Sequence, residues 1–175
     1  MGHVLTRHPD SVGDAVASIA VDVVHPRPDL LGLRYIVKGR IDDLALPAQA
    51  RSARADELWL HTCFEAFLSE DHIDGYSELN VSPSTEWAGY WFSGYRSERQ
   101  IAHLPAPRVE VDVSAGELAV RVALRLRHAG ARRLGLSAII EERSGARSWW
   151  ALAHPPGVPD FHHPDCFALE LPPLG

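Results

Sequence analysis

The sequence has little of what usually announces a function. Of its 175 residues only one is methionine, Met1, and only two are cysteines. Cys63 and Cys166 lie far apart, form no Cys-x-x-Cys pair, and read as thiols in a reducing compartment. Positive charge is short as well: the formal net charge is -6, so no basic field invites nucleic acid. No apolar run approaches the roughly 20 residues of a spanning helix. The first ten residues lack the basic and apolar regions of a secretory signal. A cytoplasmic protein without nucleic-acid or membrane partners is the expectation. The nucleophile elbow, the Gly-rich phosphate loop and the His-Glu-x-x-His pair are also missing.

What is present is the material of one ordinary domain over residues 1–175, with 46% hydrophobic and 23% charged residues. Ile19, Val21 and Val23 alternate with Ala20, Asp22 and Val24, and Leu31, Leu33, Tyr35 and Val37 repeat the period of two. Val109, Val111 and Val113, then Ser-Ala-Gly-Glu at 114–117, then Leu118, Val120, Val122, Leu124 and Leu126 spell a hairpin. Residues 134–140 and 148–154 form a second hairpin, and 166–171 a last strand. A helix is expected near 47–57; elsewhere Gly and Pro punctuate too often for long helices. The pattern implies an all-β, antiparallel, immunoglobulin-like β-sandwich with at most short helices.

The informative segment is 57–96. Read as a strand, 58–68 puts Leu58, Leu60, Phe64, Ala66 and Leu68 on a core face and Trp59, His61, Cys63, Glu65 and Phe67 on the other. The next strand, 76–82, turns Tyr76, Glu78, Asn80 and Ser82 to that second face. The expected register opposes Phe67 to Tyr76, Glu65 to Glu78, Cys63 to Asn80 and His61 to Ser82. Two like charges placed directly opposite repel unless a ligand, a cation or a shared proton relieves them. A partly apolar face with a few polar groups is how small-ligand sites are built. The bland alternative is an outer face under loops, its carboxylates hydrated at the rim.

Three long motifs carry a resemblance. Glu-Leu-Trp-Leu-His-Thr-Cys-Phe-Glu-Ala-Phe-Leu at 57–68, Tyr-Ser-Glu-Leu-Asn-Val-Ser-Pro-Ser-Thr-Glu-Trp-Ala-Gly-Tyr-Trp-Phe at 76–92 and the Trp-, Pro- and His-rich run at 148–165 resemble DOMON-like proteins, relatives of the family 9 carbohydrate-binding modules. The resemblance implies a β-sandwich whose ligand in relatives is a sugar or a haem. It implies aromatic stacking by Trp59 or Trp87, and hydroxyl recognition by Glu65, Glu78, Asn80 and Arg96. His154, opening the Pro-rich segment, completes the candidate ligand-binding set. Haem-binding relatives use axial ligands that include Met, and this chain has none beyond Met1, so no cofactor is expected; a histidine is the substitute.

His154, Asp160, His162, His163 and Asp165 could ligate a metal, but their spacing matches no standard motif. They read as a stiff loop crossing the sandwich end. Asp71 and Asp74 read as turn residues. The enzymatic alternative is glycoside chemistry by Glu65 and Glu78. The expected function is small-ligand binding, most simply of a carbohydrate or a related hydroxylated molecule. A binding domain without a catalytic module also points to an unidentified protein partner.

Overall fold

Alternating apolar residues fold into the expected strands, and a computed structural model describes residues 2–70, 74–126 and 131–171. In chain order the strands are β1 (Gly2–Arg7), β2 (Val16–Arg27), β3 (Leu30–Gly39), β4 (Cys63–Glu70), β5 (Tyr76–Val81) and β6 (Trp87–Phe92). They continue with β7 (Gln100–Ile101), β8 (Arg108–Val113), β9 (Glu117–Arg125), β10 (Ala131–Glu141), β11 (Arg147–Ala151) and β12 (Leu169–Glu170). All strand pairings are antiparallel. The helical elements among the described residues are short 3-10 turns, none long and apolar enough to cross a membrane.

Two sheets share one strand. The first runs β8-β9-β3-β2-β1 and the second β1-β11-β10-β4-β5-β6-β7, with β12 beside the start of β10. β1 pairs with β2 through Leu5 and with β11 from Thr6, so it carries the curl from one sheet to the other. Between the sheets lie Ile19, Val21, Leu31 and Val37 from one side, and Phe64, Leu79, Leu134 and Leu136 from the other. Burying each such side chain contributes about 1.5–3 kcal/mol, which makes this double layer the main source of stability.

Some local expectations fail for identifiable reasons. The strand expected over 58–68 begins only at Cys63, because Glu57 takes a left-handed backbone (φ 62°) and Leu58–Leu60 forms a 3-10 turn. The segment 47–57 is not helical. Its backbone instead follows β6, with Ala55 N–H donating to the Trp87 carbonyl (2.9 Å) and Trp87 N–H to that of Ala53 (3.0 Å). The last strand is only Leu169–Glu170, since Pro164–Cys166 turns as a 3-10 helix. Asp74 sits in a bend, while Asp71 lies outside the described residues.

The most consequential correction is the β4–β5 register. Glu65 pairs with Asn80, Phe67 with Glu78 and Ser69 with Tyr76, two residues away from expectation. The strands extend further toward the loop, which closes at Gly75 in a conformation (φ 104°) that favours glycine. A slip of two residues leaves every side chain on its face. Glu65 and Glu78 therefore still share the outer face, as diagonal neighbours rather than opposed partners.

Candidate functional site

Strand parity builds the outer face of the second sheet in rows. One row is Ser137, Glu65, Asn80 and Ala88; the next is Gly135, Phe67, Glu78 and Tyr90; a third ends in Ser69, Tyr76 and Phe92. Phe67, Tyr76, Tyr90, Phe92 and Ile139 form a second apolar cluster there, closed by Leu58, Trp59, Phe161 and Phe167 from crossing segments. Gly135 allows this closure: a Cβ there would come within 3.2 Å of the Cys166 carbonyl.

Two carboxylates are trapped in this cluster, Glu65 at 3% and Glu78 at 5% exposure. Ser137 Oγ donates to Glu65 Oε2 (3.0 Å), and Asn80 Nδ2 donates to Glu78 Oε1 (2.8 Å). Burial, then the charge of Glu78, raises Glu65 to about 8. Burial raises Glu78 to about 7, against the opposing pull of Asn80, Arg99 and Arg96. A proton therefore resides in the pair at neutral pH. Asn80 is fully buried, and its Oδ1 has no hydrogen-bond partner among the described residues.

A polar chain leads outward from Glu78. Its Oε2 stands 3.8 Å from His162 Nε2, and His162 Nδ1 meets the Tyr76 hydroxyl at 2.7 Å. Tyr76 also accepts from the Arg96 N–H (3.2 Å). Giving the Tyr76 proton an acceptor assigns the ring proton of His162 to Nε2, facing Glu78. Burial, helped by Arg96, pushes His162 down to about 4, so the ring is neutral. Asp160 ties the covering segment: it accepts from Arg96 Nη2 and the His162 N–H at 2.7 and 3.2 Å, and from the Tyr95 hydroxyl. At the other flank Arg99 lies over Trp59 and Tyr90, 5.4 and 5.1 Å from the ring centres.

The sequence-derived candidates thus separate. Glu65, Glu78 and Asn80 come together; Arg96 and Trp59 lie at the flanks. Trp87 belongs to the opposite face, buried in the sandwich core. His154 bonds the Thr6 carbonyl (2.8 Å) and packs near His8 and Phe161. His61 is exposed and meets Glu141 Oε2 at 2.7 Å. Tyr76 lies on this face as expected, and His162, Tyr90, Arg99, Asp160 and Ser137 complete the cluster without having been candidates for it. Ser137 left a signal, since with Gly135 it breaks the apolar run 134–140 on one parity. Both cysteines are buried and free, and burial pushes Cys166 up to about 12, so neither is a poised nucleophile.

A cavity of about 180 Å³ touches the cluster through Tyr76 and His162, with Tyr95, Arg133 and Phe167 among its walls. Larger hollows lie elsewhere: about 620 Å³ between the 45–61 segment and the Glu141–Arg143 turn, and about 520 Å³ on the outer face of the first sheet. Among the described residues no cluster of three or more His, Cys, Asp or Glu is placed to hold a metal.

No protein-family model matches the chain, and no curated protein sequence does. In three dimensions it is similar to the crystal structure of a "putative carbohydrate-binding protein" from Bacteroides uniformis, with a TM-score of 0.64 over 94% of this chain and 83% of that one. The two are 14% identical, so the likeness establishes a shared fold.

Proposed function

We propose that this chain is a ligand-binding β-sandwich that takes a sugar-like, hydroxylated ligand at the outer face of its second sheet. The observation that carries the reading is the buried Glu65–Glu78–Asn80 group under an aromatic cover. Burying such groups with open hydrogen-bond capacity costs stability, and a bound partner offsets that cost. Aromatic rings beside hydrogen-bonding carboxylates and an amide suit a molecule with apolar ring faces and polar edges. The fold shared with the Bacteroides "putative carbohydrate-binding protein" supports the same ligand class.

The test is calorimetric titration with glucose, galactose, xylose and their β-linked disaccharides, on the parent and on Glu78→Gln. The parent should bind at least one of them. The variant should lose on the order of 2 kcal/mol for a truncated charged hydrogen bond, roughly thirtyfold in Kd. Equal affinity in parent and variant removes Glu78 from the site. Silence across the panel removes the reading, and release of new reducing ends replaces it with glycoside hydrolysis.

A further inference from the structure

We infer that the Glu65–Glu78–Asn80 cluster receives a protonated primary amine, so that the preferred ligand is an amino sugar or a similar aminated polyol. The inference rests on the proposed binding face and adds the chemical group that docks at its centre.

The reasoning starts from the count of open acceptors. Glu78 Oε1 and Glu65 Oε2 are taken by Asn80 and Ser137. Glu78 Oε2, the second oxygen of Glu65 and Asn80 Oδ1 make no hydrogen bond among the described residues, and the last is wholly buried. These three acceptors belong to adjoining positions, since Asn80 opposes Glu65 across the strands and bonds Glu78 along its own. Apart from the proton that the carboxylate pair itself holds and that a bound cation displaces, one donor stands against them, the Nε2–H of His162. A hydroxyl brings one proton and two lone pairs; a primary ammonium brings three protons and no lone pair. Three acceptors and one donor therefore match an ammonium better than a hydroxyl.

Charge points the same way. Arg96 is committed to Asp160 and Arg54 to Asp56. Arg99, stacked over Trp59 and Tyr90, is left to balance one carboxylate of the pair. The other needs a proton or a cation. Of the other titratable neighbours, burial keeps Tyr35, Cys63 and Tyr76 protonated and His162 neutral, while Arg133 stands at the wall of the adjoining cavity, where it faces the body of the ligand. A metal ion is disfavoured because Phe67 and Tyr90 flank Glu78 in its row and would exclude its water shell, whereas an organic cation gains from ring faces. Glu78 keeps 6% and His162 16% of side-chain surface open, so a ligand would approach the cluster from beside His162. Its body would rest in the adjoining cavity against Tyr76 and Phe167.

The test titrates glucosamine, N-acetylglucosamine, glucose and ethanolamine into the intact protein near pH 7, in phosphate and in MOPS, neither of which carries a primary amine. Glucosamine should bind at least tenfold more tightly than glucose or N-acetylglucosamine. Its apparent enthalpy should differ between buffers, because the ammonium displaces the proton held by the carboxylate pair. Affinity for ethanolamine, whose amine stays protonated where that of glucosamine begins to titrate, should rise from pH 6 to 8, and Glu78→Gln should abolish the proton release. The buffer comparison on the parent stands even if the variant folds poorly. Equal binding of glucose and glucosamine overturns the amine assignment and leaves the sugar reading intact. Binding of ethanolamine without any neutral sugar keeps the amine and overturns the sugar. Failure of both amines, or a calcium-dependent thermal shift lost in Glu78→Gln, overturns the inference.

Discussion

The hydroxyl of Tyr35, rooted in β3 of the first sheet, donates to the backbone carbonyl of Glu65 at 2.6 Å. The core and the candidate site are thus joined by one hydrogen bond through the sandwich. Tyr35 is fully buried, and its ring packs 5.0 Å from that of Phe64. The bond fixes β4 at the residue whose side chain is the deeper of the two carboxylates.

Tyr35→Phe keeps the packing and removes the bond. It should cost about 1–2 kcal/mol and lower the Tm by a few degrees. A Tm equal to the parent's would show that the hydroxyl has no structural part.

The two tryptophans once equivalent as stacking candidates should behave oppositely. Trp87→Ala opens a hole in the main core and should cost about 3–5 kcal/mol, on the order of 10 °C in Tm. Trp59→Ala removes a half-buried ring that touches Tyr90 and Arg99, and should cost about 1 kcal/mol while weakening ligand binding. Thermal melts of both variants decide it, and a larger loss for Trp59 would reverse their roles.

The sequence revealed faces better than registers. Period-two alternation placed Glu65, Glu78 and Asn80 on one side and Leu79 and Val81 on the other, because parity survives anything but a one-residue slip. The same parity is blind to a slip of two, which is the difference between the expected and the observed β4–β5 register. Trp59 and Trp87 could not be told apart, since a Trp suits either face. Trp59 left the strand altogether in the turn that Glu57 begins. His162, weighed only as a metal ligand, could not be placed beside Glu78 and Tyr76, because it comes from a segment 86 residues downstream of Tyr76, a pairing no local pattern records.

Asp160 holds the covering segment by three hydrogen bonds, two from the 95–96 turn and one from the His162 backbone. Asp160→Ala should leave the sandwich folded but speed amide exchange across 160–163, since the exposed Arg96 adds little by itself. The variant's ligand association should quicken if the segment gates the site. Unchanged exchange would place the anchor elsewhere, in the packing of Phe161 and Phe167.

The pH dependence of stability follows from the same cluster. Glu65 and Glu78 are raised in the folded state from an ordinary 4.5 to about 8 and about 7, so folding favours their protonated forms. That contribution is complete below pH 4.5 and is lost as pH rises through the folded values. His162, lowered from 6.5 to about 4, acts in reverse: its neutral form is favoured, and stability is gained between pH 4 and 6.5. Below 6.5 the two effects oppose each other. Between about 6.5 and 8 His162 is silent and, of these three groups, the two carboxylates titrate. The Tm should therefore fall across that upper window in the ligand-free protein. Glu78→Gln should flatten the fall, because it removes one titrating group and relieves the like charge that raises the other. The variant should equal or exceed the parent in Tm at pH 8. A parent Tm that rises from pH 6.5 to 8 would mean that the pair is ionised in the folded protein, with solvent reaching both carboxylates.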